Sequence, residues 1–368
     1  MRIALDVTAA LARGTTTARA RYAARLAASL LEVATPDDRL LLLWKLSRWR
    51  RLRALPRLDD ARVRARPFVG AAAPLILRGC DVFHGLRTDL PRRTGRCPAA
   101  FTVHSLDWVL HPGLGPPEGR DERRARMTAL AGRADGLLVQ TEAGRRALLE
   151  AFPATDPARV FVTPLGCDAA EFSPDPAPGD PGVRERLGLR TPYVVCVATV
   201  EKRKNQARLA RAFARAKAAR GLVLALAGGR GYGAEEALAE VGPHVRVLGP
   251  VAPADLPALY RGASAFALPS LYDEAPLALI EAMACGCPAV AGATGTVAEL
   301  ADGAAELVDP ISEEAIAAGL ERALADPARR AELRERGLRR AGALTWRACA
   351  ERTYAVYGTL AAMGPRRP

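Results

Sequence analysis

Short apolar runs recur along the chain and alternate with longer amphipathic stretches. The runs contain few polar residues, which is typical of strands in a parallel sheet with helices packed on both faces. In the first half, the predicted strands are Ile3–Val7, Leu40–Trp44, Asp81–His84, Ala99–Val103, Gly136–Gln140 and Val160–Thr163. In the second half, they are Tyr193–Ala198, Leu222–Ala227, Val245–Leu248, Ala265–Leu268, Pro288–Ala291 and Ala305–Val308. The pattern therefore predicts an α/β protein with two parallel sheets.

A segment rich in proline and glycine separates the two series of strands. Residues 173–182 read SPDPAPGDPG, a composition that disfavours regular structure. We predict a first domain over residues 1–172, a linker over 173–182 and a second domain over 183–345. The last helix, within 346–368, is expected to pack across the domain junction. Two such domains predict a ligand-binding cleft between the carboxyl ends of their strands.

The length and composition agree with this division. A chain of 368 residues with 49% hydrophobic residues suits two domains with ordinary cores. The first residues read as a core strand and not as a signal segment, and the apolar runs are too short to span a membrane. Seven cysteines without framework spacing are typical of a reducing compartment. We therefore expect a cytoplasmic protein, in which the Cys285-Gly286-Cys287 sequence indicates tight packing because a zinc site needs more ligands.

The formal charge of +13 raises the question of an anionic partner. No recognition motif for nucleic acid is visible, so we predict no nucleic-acid partner. Basic residues are densest between Lys45 and Arg66, where nine Lys or Arg accompany two aspartates, with Trp44 and Trp49 near the start. A peripheral contact with an anionic membrane explains this stretch, as does a solvated helix face in an arginine-rich chain. The pattern alone favours the second explanation.

The second half carries motifs that resemble one family. Residues 267–286 read ALPSLYDEAPLALIEAMACG, which closely resembles the donor-site signature of family 4 glycosyltransferases. Further matches are VEKRKN at 200–205, PADLPALY at 253–260, PLGCD at 164–168 and, in the first half, TVHS at 102–105. The resemblance runs over nearly the whole chain. It implies a GT-B fold of two Rossmann-like domains and a retaining hexosyltransferase that uses a nucleotide-sugar donor.

The resemblance assigns Arg203 and Lys204 to the donor diphosphate. Both residues follow the first predicted strand of the second domain, near the start of a helix whose dipole also favours an anion. Electrostatic stabilisation of a leaving group is often the largest catalytic effect. A solvated basic helix start is the structural alternative. Thr199 stands where many members carry arginine, and a subgroup with threonine there has the same Arg-Lys-Asn sequence, so we expect Thr199 in the donor site.

Two carboxylates in the donor signature receive separate roles from the resemblance. Glu281 is expected to accept hydrogen bonds from the ribose hydroxyls, and Asp273 is expected to act in catalysis beside the transferred sugar. Glu274, Pro276 and Leu277 complete the predicted donor-binding set. Relatives more often read Glu-Gly-Phe where this chain reads Asp-Glu-Ala, so Glu274 adds a charge close to the phosphates. A capped acid on an exposed helix face is the alternative for Glu281.

The first domain is expected to contribute His104 and the loop before its first helix. His104 ends a predicted strand, and the corresponding family histidine lies close to the sugar and the acceptor. A polar residue satisfied within the fold is the alternative reading. Thr17, Ala18 and Arg19 are predicted to approach the diphosphate. Relatives usually carry glycines where Ala18 and Ala20 stand, and a methyl group takes space and disfavours positive φ.

We predict that no metal and no cofactor are needed, with the nucleotide sugar as co-substrate, because cationic side chains can neutralise the diphosphate. The expected acceptor is a saccharide or a lipid-linked molecule. A non-catalytic partner that kept the fold and lost turnover is the alternative function, favoured by Ala18, Ala20, Asp273 and Glu274. A nicotinamide-dependent oxidoreductase is a poor third alternative because neither half has the glycine fingerprint after its first strand.

Overall fold

The computed structural model describes residues 1–11, 17–54, 59–87, 94–239 and 241–364. The contacts within the chain divide it into two compact units. The first unit comprises Met1–Leu110, Glu118–Leu165 and Trp346–Pro368, and the second comprises His111–Pro117 and Gly166–Thr345.

A parallel sheet forms the centre of the first unit. Its described strands are β1 (Arg2–Asp6), β2 (Arg39–Lys45), β3 (Val63–Phe68), β4 (Val82–Gly85), β5 (Ala99–Thr102), β6 (Gly136–Val139) and β7 (Val160–Val162). Their order in the sheet is β3-β2-β1-β4-β5-β6-β7, and every neighbouring pair is parallel. The order changes direction at β1, so the chain winds outward from the centre of the sheet on both sides.

The second unit has a parallel sheet of the same kind. Its described strands are β8 (Tyr193–Val197), β9 (Val223–Ala227), β10 (Val245–Gly249), β11 (Ala265–Leu268), β12 (Ala289–Gly292) and β13 (Glu306–Val308). They lie in the order β10-β9-β8-β11-β12-β13. Both sheets confirm the prediction of two parallel α/β architectures, and all twelve predicted runs coincide with a strand to within two residues at each end.

Helices connect the strands in both units. In the described part of the chain the α-helices are α1 (Ala18–Val33), α2 (Ala73–Ile76), α3 (Asp107–Leu110), α4 (Arg120–Arg133), α5 (Glu142–Ala151), α6 (Asp180–Arg186), α7 (Gln206–Arg215), α8 (Ala234–Ala239), α9 (Leu256–Arg261), α10 (Leu277–Ala284), α11 (Gly295–Ala301), α12 (Glu313–Ala325), α13 (Pro327–Ala343) and α14 (Trp346–Met363). Short 3₁₀ helices lie at Thr8–Leu11, Leu46–Ala54, Gly70–Ala72, Pro112–Leu114, Pro157–Arg159, Lys202–Lys204, Lys217–Ala219 and Pro253–Asp255. Among these residues no helix is both long enough and apolar enough to cross a membrane.

The inner strands of each sheet are buried, whereas the edge strands β3 and β10 are exposed or partly exposed at most positions. In the first unit, the ring of Phe83 stacks on Phe68 at 5.5 Å and meets Phe101 edge-on at 5.8 Å between centroids. In the second unit, Val194 and Phe266 are fully buried on neighbouring strands. Burial on both faces explains why these strands are apolar without alternation.

The C-terminal helix α14 packs within the first unit. The rings of Tyr22 in α1 and Trp346 in α14 meet at 5.8 Å between centroids. A methyl group on Gly136 in β6 would lie 3.0 Å from Leu360, so α14 approaches the sheet closely. The chain returns to the first unit after residue 345, and packing of this helix across the domain junction stays a prediction.

The predicted linker contains the start of a helix. Helix α6 begins at Asp180, with Pro181 in its first turn, where a missing backbone N–H costs nothing and the fixed φ suits the helix. The compact second unit includes residues from Gly166 onward. The structure therefore counts the segment 173–182 with the second unit.

The basic stretch Lys45–Arg66 forms several elements and not one helix face. It contains the end of β2, the 3₁₀ helix Leu46–Ala54 and the start of β3, while residues 55–58 lie outside the described part. Strand β3 lies at the edge of its sheet and is mostly exposed. Its sequence contains charged residues, so it does not form an apolar run that would predict a strand. The stretch is therefore not one helix, and the choice between a membrane contact and a solvated basic surface is not decided by these elements.

Candidate functional site

A tight turn after β8 positions Arg203 and Lys204. Asn205 follows them with a φ of 65°, a left-handed conformation that asparagine tolerates better than most residues. Its side-chain amide donates to the carbonyl oxygens of Pro269 at 2.9 Å and Pro310 at 2.7 Å. These bonds fix the turn against the loops that follow β11 and β13.

The two cations lie against Asp273 in that loop. The ammonium group of Lys204 donates a hydrogen bond to the Asp273 carboxylate, and Nη1 of Arg203 lies 3.5 Å from the other carboxylate oxygen. Arg203 also donates to the Tyr272 carbonyl oxygen at 3.0 Å and to Glu201 at 2.6 Å. The structure thus brings three predicted site residues together and adds Glu201, which lies in the VEKRKN motif but was assigned no role from it.

These contacts determine the charge of the cluster. Burial raises the pKa of the Asp273 carboxyl, but the Lys204 ammonium and the Arg203 guanidinium together lower it by more. The pKa of Asp273 therefore lies below its ordinary value. Asp273 is therefore ionised at neutral pH. Together with Glu201 it balances the two positive charges, so a bound diphosphate would have to compete with carboxylates for Arg203 and Lys204.

Glu274 points into the second unit, where it is buried. The hydroxyl group of Tyr272 donates to Glu274 Oε1 at 2.6 Å. The Tyr272 ring packs against the ring of His111 at 4.9 Å between centroids. Glu274 is thus part of a packed polar cluster and is held by its own neighbour in the loop.

Glu281 is buried in helix α10. Its Oε2 atom accepts a hydrogen bond of 3.1 Å from the Tyr260 hydroxyl group. Pro276 lies immediately before the helix and Leu277 is its first residue, so these two members of the predicted donor-binding set lie at the start of α10. The burial of Glu281 excludes the alternative of an exposed helix acid.

A glycine-rich loop after β9 lies against Thr199, and the sequence search did not assign it to the site. The amide of Val200 donates to the Gly229 carbonyl at 2.8 Å, and the amide of Gly231 donates back to the Val200 carbonyl at 2.8 Å. A Cβ on Gly228 would lie 1.9 Å from the Ala198 carbonyl oxygen, and one on Gly231 would lie 2.8 Å from the Thr199 methyl group. Thr199 itself is exposed. Three glycines within four residues after a strand were the available signal.

In the first unit, the predicted diphosphate-approach residues form the start of α1. Thr17 is the N-cap, and its side chain accepts a hydrogen bond from the Ala20 amide at 3.2 Å. Ala18 and Ala20 lie in the helix, and Arg19 is exposed between them. A helical backbone does not require positive φ, so alanine is tolerated at both positions. The preceding Thr15 and Thr16 lie outside the described residues.

His104 follows β5, and its ring meets the ring of Tyr22 at 5.0 Å between centroids. Its Nε2 atom is shielded from solvent and has no hydrogen-bond partner among the described residues. Burial first, then the positive charge of Arg19 and the proximity of His84, lower the pKa of His104 to about 3, although a hydrogen bond with the Leu86 backbone opposes this. His104 is therefore neutral at physiological pH and retains a buried ring nitrogen that can accept or donate a hydrogen bond.

A second histidine of the first unit has a structural role. His84 in β4 is fully buried, with Nδ1 at 2.6 Å from the Tyr357 hydroxyl and Nε2 at 2.8 Å from Thr102 Oγ1. It joins β4 to β5 and α14. A single polar residue in an apolar run gave no signal for this role.

The comparisons with known proteins agree with the motifs. A sequence profile of the glycosyl transferases group 1 family matches residues 184–340. The chain is 37% identical to a D-inositol 3-phosphate glycosyltransferase of Kineococcus radiotolerans, over 71% of this chain and 66% of the relative. It is 30% identical to the corresponding Corynebacterium jeikeium protein, over 75% of this chain and 70% of that one.

The fold is also similar to solved structures. The crystal structure of Anabaena HepE in complex with UDP-glucose matches with a TM-score of 0.72 at 16% identity, over 99% of both chains. That likeness shows a GT-B-type fold in both proteins. Fold, sequence profile and relatives agree, and the chain belongs to the group 1 glycosyltransferases.

Proposed function

We propose that this protein transfers a hexose from a nucleotide-sugar donor to a saccharide or lipid-linked acceptor, with retention of configuration and without a metal ion. The observation that carries the proposal is the joining of Arg203, Lys204 and Asp273 in one buried cluster of the second unit. A family relationship and a fold neighbour bound to UDP-glucose support a nucleotide sugar as the donor class.

In this proposal, the two cations leave Asp273 when the donor binds. Arg203 and Lys204 then stabilise the negative charge that grows on the leaving diphosphate, which is the role that a metal ion has in other transferases. Asp273, released from Lys204, faces the transferred sugar. Glu281 accepts hydrogen bonds from the ribose hydroxyls. In the free enzyme, the hydrogen bond from the Tyr260 hydroxyl group orients its carboxylate for this role.

The remaining predicted residues complete the site. We assign Thr199, Glu274, Pro276 and Leu277 to donor binding, and Thr17, Ala18 and Arg19 of the first unit to the diphosphate. His104 lies beside the sugar and the acceptor. Because it is neutral, it can hydrogen-bond a sugar hydroxyl without adding charge. In a retaining reaction, attack and departure share one face of the sugar, and the leaving phosphate takes the acceptor proton.

A membrane-associated acceptor is consistent with the stretch Lys45–Arg66, and we propose a site of action at the cytoplasmic face of an anionic membrane. Trp49 and Leu46 are 56% and 54% exposed. The guanidinium of Arg50 stacks over the Trp49 ring at 5.2 Å. An exposed aromatic side chain next to cations is typical of an interfacial contact with anionic lipids.

The test is the release of nucleoside diphosphate from a panel of GDP-, UDP- and dTDP-linked sugars, with and without candidate acceptors. Inositol 3-phosphate belongs among the acceptors because two relatives are named for it. Lys204→Ala is the blank. If the wild type releases nucleoside diphosphate from one donor and Lys204→Ala does not, the result supports transferase activity and identifies the donor. If no donor in the panel released nucleoside diphosphate and no nucleotide stabilised the protein thermally, the non-catalytic alternative would be favoured.

A further inference from the structure

The second unit contains an open pocket of about 330 Å³ that the proposed reaction does not use. Its lining includes Arg261, Ser264, Gly286, Pro288, Arg330 and Arg334. Three of the nine described lining residues are arginines. None of the pocket's described lining residues is acidic.

This pocket lies at the amino ends of β11 and β12, whereas the donor cluster lies at the carboxyl end of β11. Ser264 immediately precedes β11, and Pro288 immediately precedes β12. The donor loop with Asp273 follows the carboxyl end of β11. The four residues of β11 separate the two places by about 13 Å, at roughly 3.3 Å per residue. A ligand in this pocket would therefore occupy a different site from a nucleotide sugar bound beside Lys204.

The three arginines differ in how their charge is compensated. Arg261 donates to both carboxylate oxygens of Asp180 at 2.7 Å, so this pair is neutral. Arg334 donates to the neutral carbonyl oxygen of Gly286 at 2.9 Å. Arg330 forms no ion pair with any described residue. Two positive charges therefore remain without a counter-charge in the pocket.

The pocket also holds one guanidinium in place. Gly286 has a φ of 69°, and a Cβ on it would lie 2.4 Å from Nη1 of Arg334. Only glycine at this position lets the guanidinium lie directly on the backbone, and the Gly286 carbonyl bond fixes its orientation. An arginine held in this way loses little entropy when it binds an anion.

We propose that this pocket binds a small phosphate-bearing solute through Arg330 and Arg334. A guanidinium matches two phosphate oxygens with two parallel hydrogen bonds. The volume lies in the range of small-molecule sites, and a concave pocket suits a free solute better than a flat lipid surface. The site is independent of the proposed transferase reaction, because it shares no residue with the donor cluster.

The experiment measures binding of inorganic phosphate and pyrophosphate by calorimetry. It uses Lys204→Ala as the background, so that the donor cluster does not contribute. Arg330→Ala combined with Arg334→Ala is expected to weaken binding at least tenfold. Arg339→Ala is the matched control, since Arg339 lies on the same helix, is exposed and pairs with Glu335 outside the pocket. This control is expected to bind within twofold of the background protein.

Arg334→Lys provides a second variant that keeps the charge and loses the paired donors, and an intermediate loss of affinity is expected. Melting temperatures of all variants establish that they are folded. The proposal is overturned if neither anion binds, or if the double variant and the Arg339 control lose affinity equally. Sedimentation with phosphatidate vesicles in place of the free anions covers a lipid source, and binding to vesicles alone would also contradict a solute site.

Discussion

Lys204 donates a hydrogen bond to Asp273, and the two side chains are only 12% and 7% exposed. A buried ammonium group needs a negative partner, and Asp273 meets that need in the free protein. A donor diphosphate is a second partner of the same sign. The pair therefore links donor binding to the release of the carboxylate that we expect beside the sugar.

This competition separates the effects of two substitutions. Asp273→Asn removes the competing carboxylate, so the nucleoside diphosphate product is expected to bind as tightly as to the wild type, or more tightly, while kcat falls about 100-fold. Lys204→Ala removes a charged hydrogen-bond donor, and we expect binding of the same product to weaken by about 10-fold or more. Calorimetry and steady-state kinetics measure the two quantities.

The neighbouring Lys202→Ala is the control for these variants, because Lys202 is exposed on the same turn. It is expected to leave both binding and kcat within twofold of the wild type. If Asp273→Asn weakened product binding as much as Lys204→Ala does, the pair would be a structural ion pair and the competition argument would fail.

The glycine loop after β9 gives a test of stability. A Cβ on Gly228 would lie 1.9 Å from the Ala198 carbonyl oxygen, whereas one on Gly229 meets its nearest atom only at 4.0 Å. Gly228→Ala is therefore expected to lower the free energy of unfolding by about 2–3 kcal/mol. Gly229→Ala is expected to change it by less than about 0.5 kcal/mol. Urea denaturation checks both values, and equal stability of the two variants would show that the loop can move away from Ala198.

The fold could be predicted from the sequence where hydrophobicity was the deciding force. Buried parallel strands are apolar along their whole length, so all twelve apolar runs marked strands. Strand β3 escaped because it lies at a sheet edge with Arg64 and Arg66 exposed. Edge strands commonly carry charges that prevent further pairing, and this removes the apolar signal.

The site was predictable only as a set of residues. The motifs placed Lys204 near the start of a helix and Asp273 in the donor signature, but these residues are 69 positions apart, and local pattern contains no information on their ion pair. The same holds for His84 and Tyr357, which are 273 positions apart. Such contacts depend on how helices and loops pack on the sheet, which sequence periodicity does not specify.

His84 makes the stability of the first unit depend on pH. Burial lowers its pKa from the ordinary 6.5 to about 3. Between these two pH values the unfolded chain binds a proton at this residue and the folded chain does not, so the free energy of unfolding falls as the pH drops. The expected contribution is up to about 1.4 kcal/mol per pH unit, present in full above pH 6.5 and lost progressively toward pH 3.

Urea denaturation at pH 7, 6 and 5 tests this effect. His84→Gln keeps a polar side chain and removes the titrating ring, so its unfolding free energy is expected to depend less steeply on pH than that of the wild type. His244→Gln changes an exposed histidine and is expected to keep the wild-type slope. Parallel pH profiles for the wild type and His84→Gln would contradict the buried, neutral state of His84.

The exposed end of the basic stretch gives the test of membrane contact. Trp49→Ser combined with Arg50→Ser removes the stacked pair, and binding to phosphatidylglycerol vesicles is expected to weaken at least fivefold, since a cation near an anionic surface contributes about 1 kcal/mol. Vesicle sedimentation measures this, while hydrolysis of the donor is expected to stay unchanged because the pair lies outside the donor cluster.

Arg220→Ser removes an exposed charge of the second unit and controls for the change in net charge. It is expected to bind vesicles as the wild type does, since a local contact and not the overall charge of +13 is proposed to hold the protein at the surface. Salt distinguishes the contribution of the arginine from that of the tryptophan. Screening weakens the contact of Arg50 with anionic lipid, whereas it does not affect insertion of the Trp49 ring into the lipid. Equal sedimentation of the wild type and the double variant would remove the membrane contact from the proposal and leave a free saccharide as the favoured acceptor.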